Sequence, residues 1–158
     1  MSVEKVRNAL ASFGLADRIL EFDTSSATVE LAAAALGTDG ARIAKSISLH
    51  GKDGDCLLIV CAGDQKIDNQ KFKARFGFKP KMLSPDEALA MTGHAVGGVC
   101  PFALPAGVEV YLDISLKRFD TVYPAAGSSS SAVRLNCDEL LTASGALGFE
   151  DVCKMREV

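Results

Sequence analysis

The chain has 158 residues, of which 48% are hydrophobic and 23% are charged, and its formal net charge is −3 at pH 7. This composition excludes a disordered tail, a coiled coil and a collagen-like fibre, and a chain of this length can bury a core without disulfide support. The small net charge also gives no overall electrostatic attraction for nucleic acid or anionic membranes. We predict one domain over residues 1–158.

In chain order, the spacing of apolar residues and the capping residues predict the first five elements. They are a helix over residues 3–13, a strand over 18–22, a helix over 29–36, and strands over 43–50 and 56–62. Thr28 is the expected N-cap of the second helix, and Gly37 is its expected end. Residues 56–62 are apolar throughout, which is typical of a strand buried on both faces.

The second half contains a clear helix start, since Ser84-Pro85-Asp86-Glu87 combines a capping box with proline at the first helical position. It predicts a helix over residues 85–91. Further elements are predicted as strands over 108–113, 121–123, 132–136 and 152–155 and a helix over 138–144, capped by Asn136 or a neighbour. Because the link between the strands ending at His50 and starting at Cys56 has hairpin length, the sheet cannot be purely parallel. The fold class is therefore α/β or α+β with a mixed sheet.

Lys45 is the first candidate functional residue. In the strand over 43–50 it alternates in phase with Ile47 and Leu49, so a lone cation lies on an apolar face. A buried ammonium group without a partner costs several kcal/mol. Lys45 must therefore extend to solvent, pair with a carboxylate, or face a cavity that receives an anionic or polar ligand.

Residues 88–108 carry no formal charge, but their glycines and prolines are incompatible with a continuous helix across a membrane. We therefore predict no membrane partner and a backbone that is buried or lines a cleft. Gly97 and Gly98 allow a close approach of backbone to a ligand, and a tight structural turn explains them equally well. Cys100 follows, either as a structural cysteine or as a nucleophile with His94 as its base.

The five cysteines are odd in number and include no CxxC pair, and the N-terminus lacks the apolar region of a signal peptide. These features predict a cytoplasmic protein with reduced thiols. Cys56, Cys61 and Cys137 are expected to be small buried hydrophobic residues. With two histidines and no paired-ligand spacing, we predict no metal and no cofactor.

Three polar features have two interpretations each. Asp113, at the end of a predicted strand, orients a ligand or caps the next turn. The hydroxyl groups of residues 128–131 form a solvated loop or the wall of a polar pocket, and those of Thr24, Ser25, Ser26 and Thr28 cap a helix or bind an anion. A basic segment forms a solvated helix face or a strip that contacts phosphates; its cations are Lys66, Lys71, Lys73, Arg75, Lys79 and Lys81.

Five motifs in this order resemble the YbaK/ProX family, the free-standing homologues of the editing domain of bacterial prolyl-tRNA synthetases. They are Thr24-Ser25-Ser26-Ala27-Thr28-Val29-Glu30, Ala44-Lys45-Ser46-Ile47, Gly97-Gly98-Val99-Cys100-Pro101-Phe102, Tyr111-Leu112-Asp113 and Ala126-Gly127-Ser128. The resemblance covers roughly residues 20–155. It implies a compact mixed α/β domain on a curved, barrel-like sheet with surrounding helices, and hydrolysis of the ester of a mischarged tRNA, with Cys-tRNA(Pro) and Ala-tRNA(Pro) as the expected substrates.

The resemblance also implies roles for particular residues. Lys45, Gly97 and Gly98 become the catalytic candidates, with the glycine amides holding the ester carbonyl and Lys45 binding the terminal adenosine's phosphate or hydroxyl. The implied substrate-binding residues are Phe22, Thr28, Ser46, Cys100, Pro101, Asp113, Gly127, Ser128 and Ser129. Cys100 stands where many relatives have serine, and Phe22 where many have histidine, which argues against indispensable proton chemistry at either side chain.

The expected partners are the 3′ end of a mischarged tRNA, contacted by the basic segment, and prolyl-tRNA synthetase. Two alternative functions stay open. One is a non-catalytic module that binds a tRNA end, a nucleotide or a synthetase, and the other is a hydrolase that depends on Cys100.

Overall fold

The computed structural model describes residues 2–23 and 28–156, which contain five α-helices and nine strands. The helices are α1 (Ser2–Ala11), α2 (Val29–Leu36), α3 (Asn69–Phe76), α4 (Pro85–Thr92) and α5 (Cys137–Ser144). The strands are β1 (Ile19–Glu21), β2 (Ile43–His50), β3 (Cys56–Ala62), β4 (Gln65–Ile67), β5 (Glu109–Asp113), β6 (Tyr123–Pro124), β7 (Ser131–Val133), β8 (Phe149–Glu150) and β9 (Cys153–Met155).

The main sheet has the strand order β6-β2-β3-β5-β8. Strands β2 and β3 form an antiparallel hairpin, whereas the other three neighbouring pairs are parallel. Two antiparallel pairs, β1 with β7 and β4 with β9, form separate two-stranded sheets. Single bridges from Val122 to Leu135 and from Ala125 to Ala132 connect the β6 edge to the β7 region. The predicted mixed α/β fold is confirmed.

Strand β3 lies at the centre of the sheet, and all seven of its residues are buried. Leu58 and Val60 face the larger core, together with Val6 and Leu10 of α1. Leu57, Ile59 and Cys61 face a second core with Phe72 of α3. An apolar layer on each face explains why this strand is a continuous apolar run.

The predicted helix caps agree closely with the structure. Thr28 caps α2, Ser84 forms a capping box with Glu87, and Asn136 forms a second capping box with Glu139. Helix α2 ends at Gly37, which adopts a left-handed conformation. Caps are predictable because they are satisfied by residues within one helical turn.

Some predictions of local structure are wrong. The helix predicted over residues 3–13 spans Ser2–Ala11 instead, and Phe13, which lies beyond its end, is 45% exposed. Cys137 is partly exposed, unlike Cys56 and Cys61. β4, α3 and β8 were not predicted as separate elements, because strands of two or three residues show no periodicity and Phe72 is the only buried residue of α3. The predicted cluster Thr24, Ser25 and Ser26 lies outside the described residues.

None of the helices over residues 2–23 and 28–156 is long and apolar enough to cross a membrane.

Asp113 occupies a structural position at the end of β5. Its carboxylate is 2% exposed, and it accepts hydrogen bonds from the backbone N–H of Ser115 at 2.9 Å and of Val152 at 3.0 Å. The first bond caps the 3₁₀ turn Ile114–Arg118, and the second holds the segment before β9. Of the two interpretations of Asp113, the structure supports the cap.

We expect Asp113→Ala to lower the free energy of unfolding by about 2–6 kcal/mol, because two buried N–H groups lose their acceptor at about 1–3 kcal/mol each. Urea unfolding measures this change. Asp120→Ala is the control, since Asp120 is exposed. An Asp113→Ala variant as stable as the control would contradict the assignment.

Candidate functional site

A cavity of about 390 Å³ opens along the edge of β2 that faces away from β3. Helices α2 and α4, the segment around Gly97 and strands β6 and β7 enclose it. We call it the first cavity. It is lined by Thr28, Val29, Ala32, Ile43, Ala44, Lys45, Ser46, Ile47, Ser48, Met82, Leu83, Pro85, Ala88, Val96, Gly97, Val99, Tyr123, Ala125, Ser131 and Ala132. Its volume and largely apolar walls are typical of a small-molecule site.

The cavity exists because the outer edge of β2 is paired only at its two ends. At one end, Ala44 pairs with Pro124 of β6. At the other, the Ser48 carbonyl accepts a hydrogen bond from the Leu83 N–H, and the His50 N–H donates to the Lys81 carbonyl. In an antiparallel hairpin, alternate residues direct both backbone groups to the same side. The N–H and C=O of Ser46 therefore face the open part of the edge.

The side chain of Ser46 is a second sign of an unoccupied polar position. Its Oγ is the one buried side-chain nitrogen or oxygen atom without a hydrogen-bond partner in the part of the chain that the structure describes. Buried polar atoms are nearly always hydrogen-bonded, and an exception requires an explanation. Ser46 lines the first cavity, so this unpartnered hydroxyl lies in the cavity wall.

Lys45 stands on the opposite face of β2, beside the open edge. Its neighbours across the hairpin and along its face are Cys61, Ile47 and Leu49, so the predicted alternation is present. Its side chain is half-buried, and within residues 2–23 and 28–156 its ammonium group makes no hydrogen bond or ion pair. The Glu30 carboxylate on α2 pairs with Arg156 and attracts the Lys45 ammonium group only at longer range, without forming an ion pair with it. Lys45 is therefore available for a ligand.

The structure brings together two glycines that are 29 positions apart in sequence. A Cβ atom on Gly98 would lie 2.6 Å from the backbone of Gly127 and of Ser128, so the two segments touch main chain to main chain. The Gly98 N–H already donates to the Ala95 carbonyl at 2.9 Å. It is not free to hold an ester carbonyl, which corrects that part of the expected role. Gly97 lines the cavity with a φ of 92°, and its amide stays a candidate donor.

Cys100 and His94 are also brought together, but away from the cavity. Both are 0% exposed, and the Cys100 Sγ lies 3.5 Å from His94 Nε2. Nε2 also lies 2.8 Å from the Phe102 carbonyl oxygen, which can only accept, so Nε2 carries the proton and is not a base. Burial raises the pKa of the Cys100 thiol to about 12. The pair has the character of a packed structural group, which argues against a nucleophile.

Other predicted binding residues are distributed unevenly. Thr28 and Ser131 line the cavity, whereas Phe22, Pro101 and Asp113 do not. Ser128 stands behind the wall, with its Oγ 2.8 Å from the Ser131 Oγ. Gly127 and Ser129 are likewise absent from the lining. The serine loop thus contributes to the cavity mainly through Ser131, which Ser128 orients.

The predicted basic segment divides into paired and unpaired cations. Lys71 Nζ lies 2.9 Å from Asp151 Oδ1, and Arg75 Nε lies 2.7 Å from Glu150 Oε1, so both connect α3 to the C-terminal strands. Lys66, Lys73, Lys79 and Lys81 form no ion pair with any residue of the described ranges. A phosphate-contacting role is therefore open to these four side chains.

Tyr123 and the apolar wall of Val29, Ile43 and Val99 were not predicted as site residues. Tyr123 pairs with Ile43 in the parallel β6–β2 ladder, which places it beside the cavity. No motif in the sequence indicates that Tyr123 and Ile43 are neighbours, because they are 80 positions apart in the chain.

The lining also lacks certain groups. Among the described residues around the first cavity there is no carboxylate, imidazole or thiol; Lys45 and Tyr123 are its ionisable side chains. Over the same described ranges, no group of three or more His, Cys, Asp or Glu side chains is arranged to hold a metal ion.

Comparisons with known proteins agree with one another. A family model described as an aminoacyl-tRNA editing domain matches residues 23–143. The uncharacterized protein YwhH of Bacillus subtilis is 52% identical over 154 residues, covering 98% of each chain. Proline-tRNA ligase of Pelobacter propionicus is 30% identical over 122 residues, which are 73% of this chain and 21% of the ligase. A crystal structure described as a candidate trans-editing enzyme for prolyl tRNA synthetase superposes with a TM-score of 0.87 at 29% identity, covering 97% of both chains.

The buried His94 predicts a pH dependence of stability. Burial lowers its pKa, so the folded protein keeps the imidazole neutral where the unfolded chain already binds a proton. Above pH 7 both states are neutral, and below about pH 6.5 stability decreases as the pH falls toward the folded-state pKa. We expect the free energy of unfolding to decrease more steeply between pH 7 and pH 5 in the wild type than in His94→Gln.

Urea unfolding at several pH values measures this difference in slope. His50→Gln is the matched control, because it removes the other histidine and leaves His94 in place. Equal slopes for wild type and His94→Gln would show that His94 is not held neutral by burial.

Proposed function

Because the chain belongs to the aminoacyl-tRNA editing domain family, we propose that it is a deacylase that hydrolyses the ester of a mischarged tRNA. The observation that carries this proposal is the first cavity, which is lined by two adjacent residues of an open strand edge, Lys45 with an unpaired ammonium group and Ser46 with an unpartnered hydroxyl. These groups are suited to a ligand that offers both anionic and hydrogen-bonding atoms next to a small apolar part. An aminoacyl ester on a terminal ribose has this chemistry.

In the proposed reaction, water attacks the carbonyl carbon of the ester, and the bond between that carbon and the ribose oxygen breaks. The products are a free amino acid and a tRNA whose terminal ribose hydroxyl has regained a proton. Since no carboxylate, imidazole or thiol is among the described lining residues, we assign catalysis to positioning and electrostatics.

Each candidate group has a distinct task in this mechanism. Lys45 supplies positive charge near the oxygen atoms of the ester or of the adjoining ribose and phosphate. The Gly97 N–H and the Ser46 hydroxyl are the neutral donors, and one well-placed donor to a developing oxyanion contributes about 3 kcal/mol. Gly98 acts by allowing the close contact with Gly127 that places the Gly97 segment.

Within this function we propose Cys-tRNA(Pro) or Ala-tRNA(Pro) as the substrate and the 3′ end of that tRNA as the partner. The similarity to proline-tRNA ligase and to the candidate prolyl trans-editing enzyme supports the choice of tRNA. Walls of Val29, Ile43 and Val99 suit a small uncharged amino acid. A cavity volume of about 390 Å³ does not by itself exclude proline. Selection against proline would therefore come from the shape of the apolar end of the cavity.

We further propose that the editing unit comprises residues 1–158, that it acts in the cytoplasm in support of translation fidelity, and that prolyl-tRNA synthetase is its protein partner. The unpaired lysines of the basic segment, Lys66, Lys73, Lys79 and Lys81, are the proposed contacts to tRNA phosphates.

Deacylation of mischarged tRNAs tests the function directly. The panel is Cys-tRNA(Pro), Ala-tRNA(Pro), and seryl and threonyl tRNAs, with Pro-tRNA(Pro) as the correct species. We expect Lys45→Ala to lower kcat/KM by about 100-fold or more, because it removes a charged donor. We expect Ser46→Ala to lower kcat/KM by about tenfold, because it removes a neutral donor. Lys52→Ala, which removes an equal charge from an exposed turn, is the matched control.

If the folded wild type hydrolyses none of these species, the deacylase proposal fails, and binding without turnover would favour a non-catalytic module. Equal losses in Lys45→Ala and Lys52→Ala would remove Lys45 from the site.

The same assay decides on the cysteine-dependent alternative. We expect Cys100→Ala to keep kcat/KM within about threefold of the wild type, since the thiol is fully buried and lies outside the cavity. Treatment of the native protein with iodoacetamide should also leave activity intact. Loss of activity in a Cys100→Ala variant that unfolds normally would support a nucleophile at this position.

A further inference from the structure

A second cavity, of about 470 Å³, lies on the other face of β2. It is bounded by β2, by β4, by the start of α3 and by the chain before α4. Its polar lining consists of Lys45, Lys66 and Asn69, and the remaining walls are apolar, including Ile47, Pro80 and Met82. The function proposed above uses two of its lining residues, Lys45 and Lys66, but assigns no ligand to the cavity itself.

The two cavities share part of their walls. Lys45, Ile47 and Met82 line both of them, so the second cavity begins where the first one ends. Met82 is 66% exposed, which leaves this junction accessible from solvent. One ligand can therefore extend from the first cavity into the second across Lys45.

The charges of the second cavity favour an anion. Two lysines line it, and no carboxylate is found among its described lining residues. The nearby Asp68 is engaged in capping α3, where it accepts hydrogen bonds from the N–H groups of Gln70 and Lys71. Lys66 also lies opposite Lys154 in the β4–β9 ladder, so a cation rather than a carboxylate faces it across the strands. An anionic ligand would relieve this concentration of positive charge.

We propose that the second cavity is the nucleotide subsite of the enzyme, where Lys66 and Lys45 bind a phosphate at the 3′ end of the RNA. This inference rests on the proposed function. The aminoacyl group occupies the first cavity, the terminal ribose lies at the junction beside Lys45 and Met82, and the nucleotide extends over Ile47 and Pro80. Apolar walls with a few charged groups suit a flat base joined to a phosphate.

The proposal separates Lys66 from the other cations of its segment. Lys71 and Arg75 are held by Asp151 and Glu150, and neither lines the cavity. Lys66 should therefore act on a specific phosphate, whereas Lys79 and Lys81 would add general attraction for RNA.

Binding of ligands that carry no aminoacyl group tests this subsite without any hydrolysis. The probes are the trinucleotide CCA with a free 3′ hydroxyl, 5′-AMP and inorganic phosphate, measured by calorimetry against wild type, Lys66→Ala and Lys52→Ala. We expect CCA to bind most tightly, and Lys66→Ala to weaken it by about tenfold to 100-fold, as for loss of one charge-assisted hydrogen bond. Lys52→Ala should bind CCA like the wild type.

In deacylation, Lys66→Ala should raise KM with little change in kcat, since it contacts only the part of the substrate that does not react. In the wild type, NMR amide shifts on adding CCA should concentrate at Ile47, Ile67 and Asn69. These shifts need no variant, so they test the subsite even if Lys66→Ala folds poorly.

Each outcome separates the subsite from the proposed function. If the wild type deacylates tRNA but Lys66→Ala binds CCA as tightly as the wild type, the subsite alone is overturned. The same holds if the wild type deacylates tRNA but CCA causes no NMR amide shifts at the second cavity. CCA binding that depends on Lys66 in a protein without deacylase activity would support the subsite and overturn the deacylase. Binding of 5′-AMP as tight as that of CCA would identify a free mononucleotide as the ligand and overturn the assignment to an RNA end.

Discussion

The candidate site depends on one interruption in the hydrogen bonding of β2. Strand β6 accompanies β2 for two residues only, and the second of them is Pro124, which has no N–H to continue a ladder. The next residue, Ala125, bridges to Ala132 instead. This departure leaves Ser46 without a strand partner on the outer edge of β2 and opens the space that becomes the first cavity. A longer β6 would have covered Ser46.

Strand β2 can tolerate this exposed edge because β3 holds its other side completely. Seven consecutive residue pairs join the two strands, and β3 is buried between two apolar layers. The rigid hairpin presents Lys45 and Ser46 on opposite faces of one strand. Both cavities can therefore use adjacent residues of the same short segment, with Lys45 at their boundary.

Several chemically active side chains near the site serve structure instead. Asp113 satisfies two backbone N–H groups, and His94 bonds to the Phe102 carbonyl and to the Ser2 hydroxyl. Cys100 lies against His94 in the same buried layer. These groups hold the backbone that surrounds the cavity, while its lining stays largely apolar. Such a division suits a site in which position and charge, rather than a protein base, act on the substrate.

The local features of this protein can be predicted from its sequence. Helix caps at Thr28, Ser84 and Asn136, the alternation of β2 and the buried run of β3 follow from residues close together in the chain. The ordered motifs also sufficed to identify the family. Tertiary structure alone decided that Gly98 meets Gly127, that Asp113 and Cys100 face inward, and that Tyr123 and Ser131 line the cavity. Capping and periodicity are satisfied within a few residues, whereas a cavity is the space left between segments that pack from distant parts of the chain.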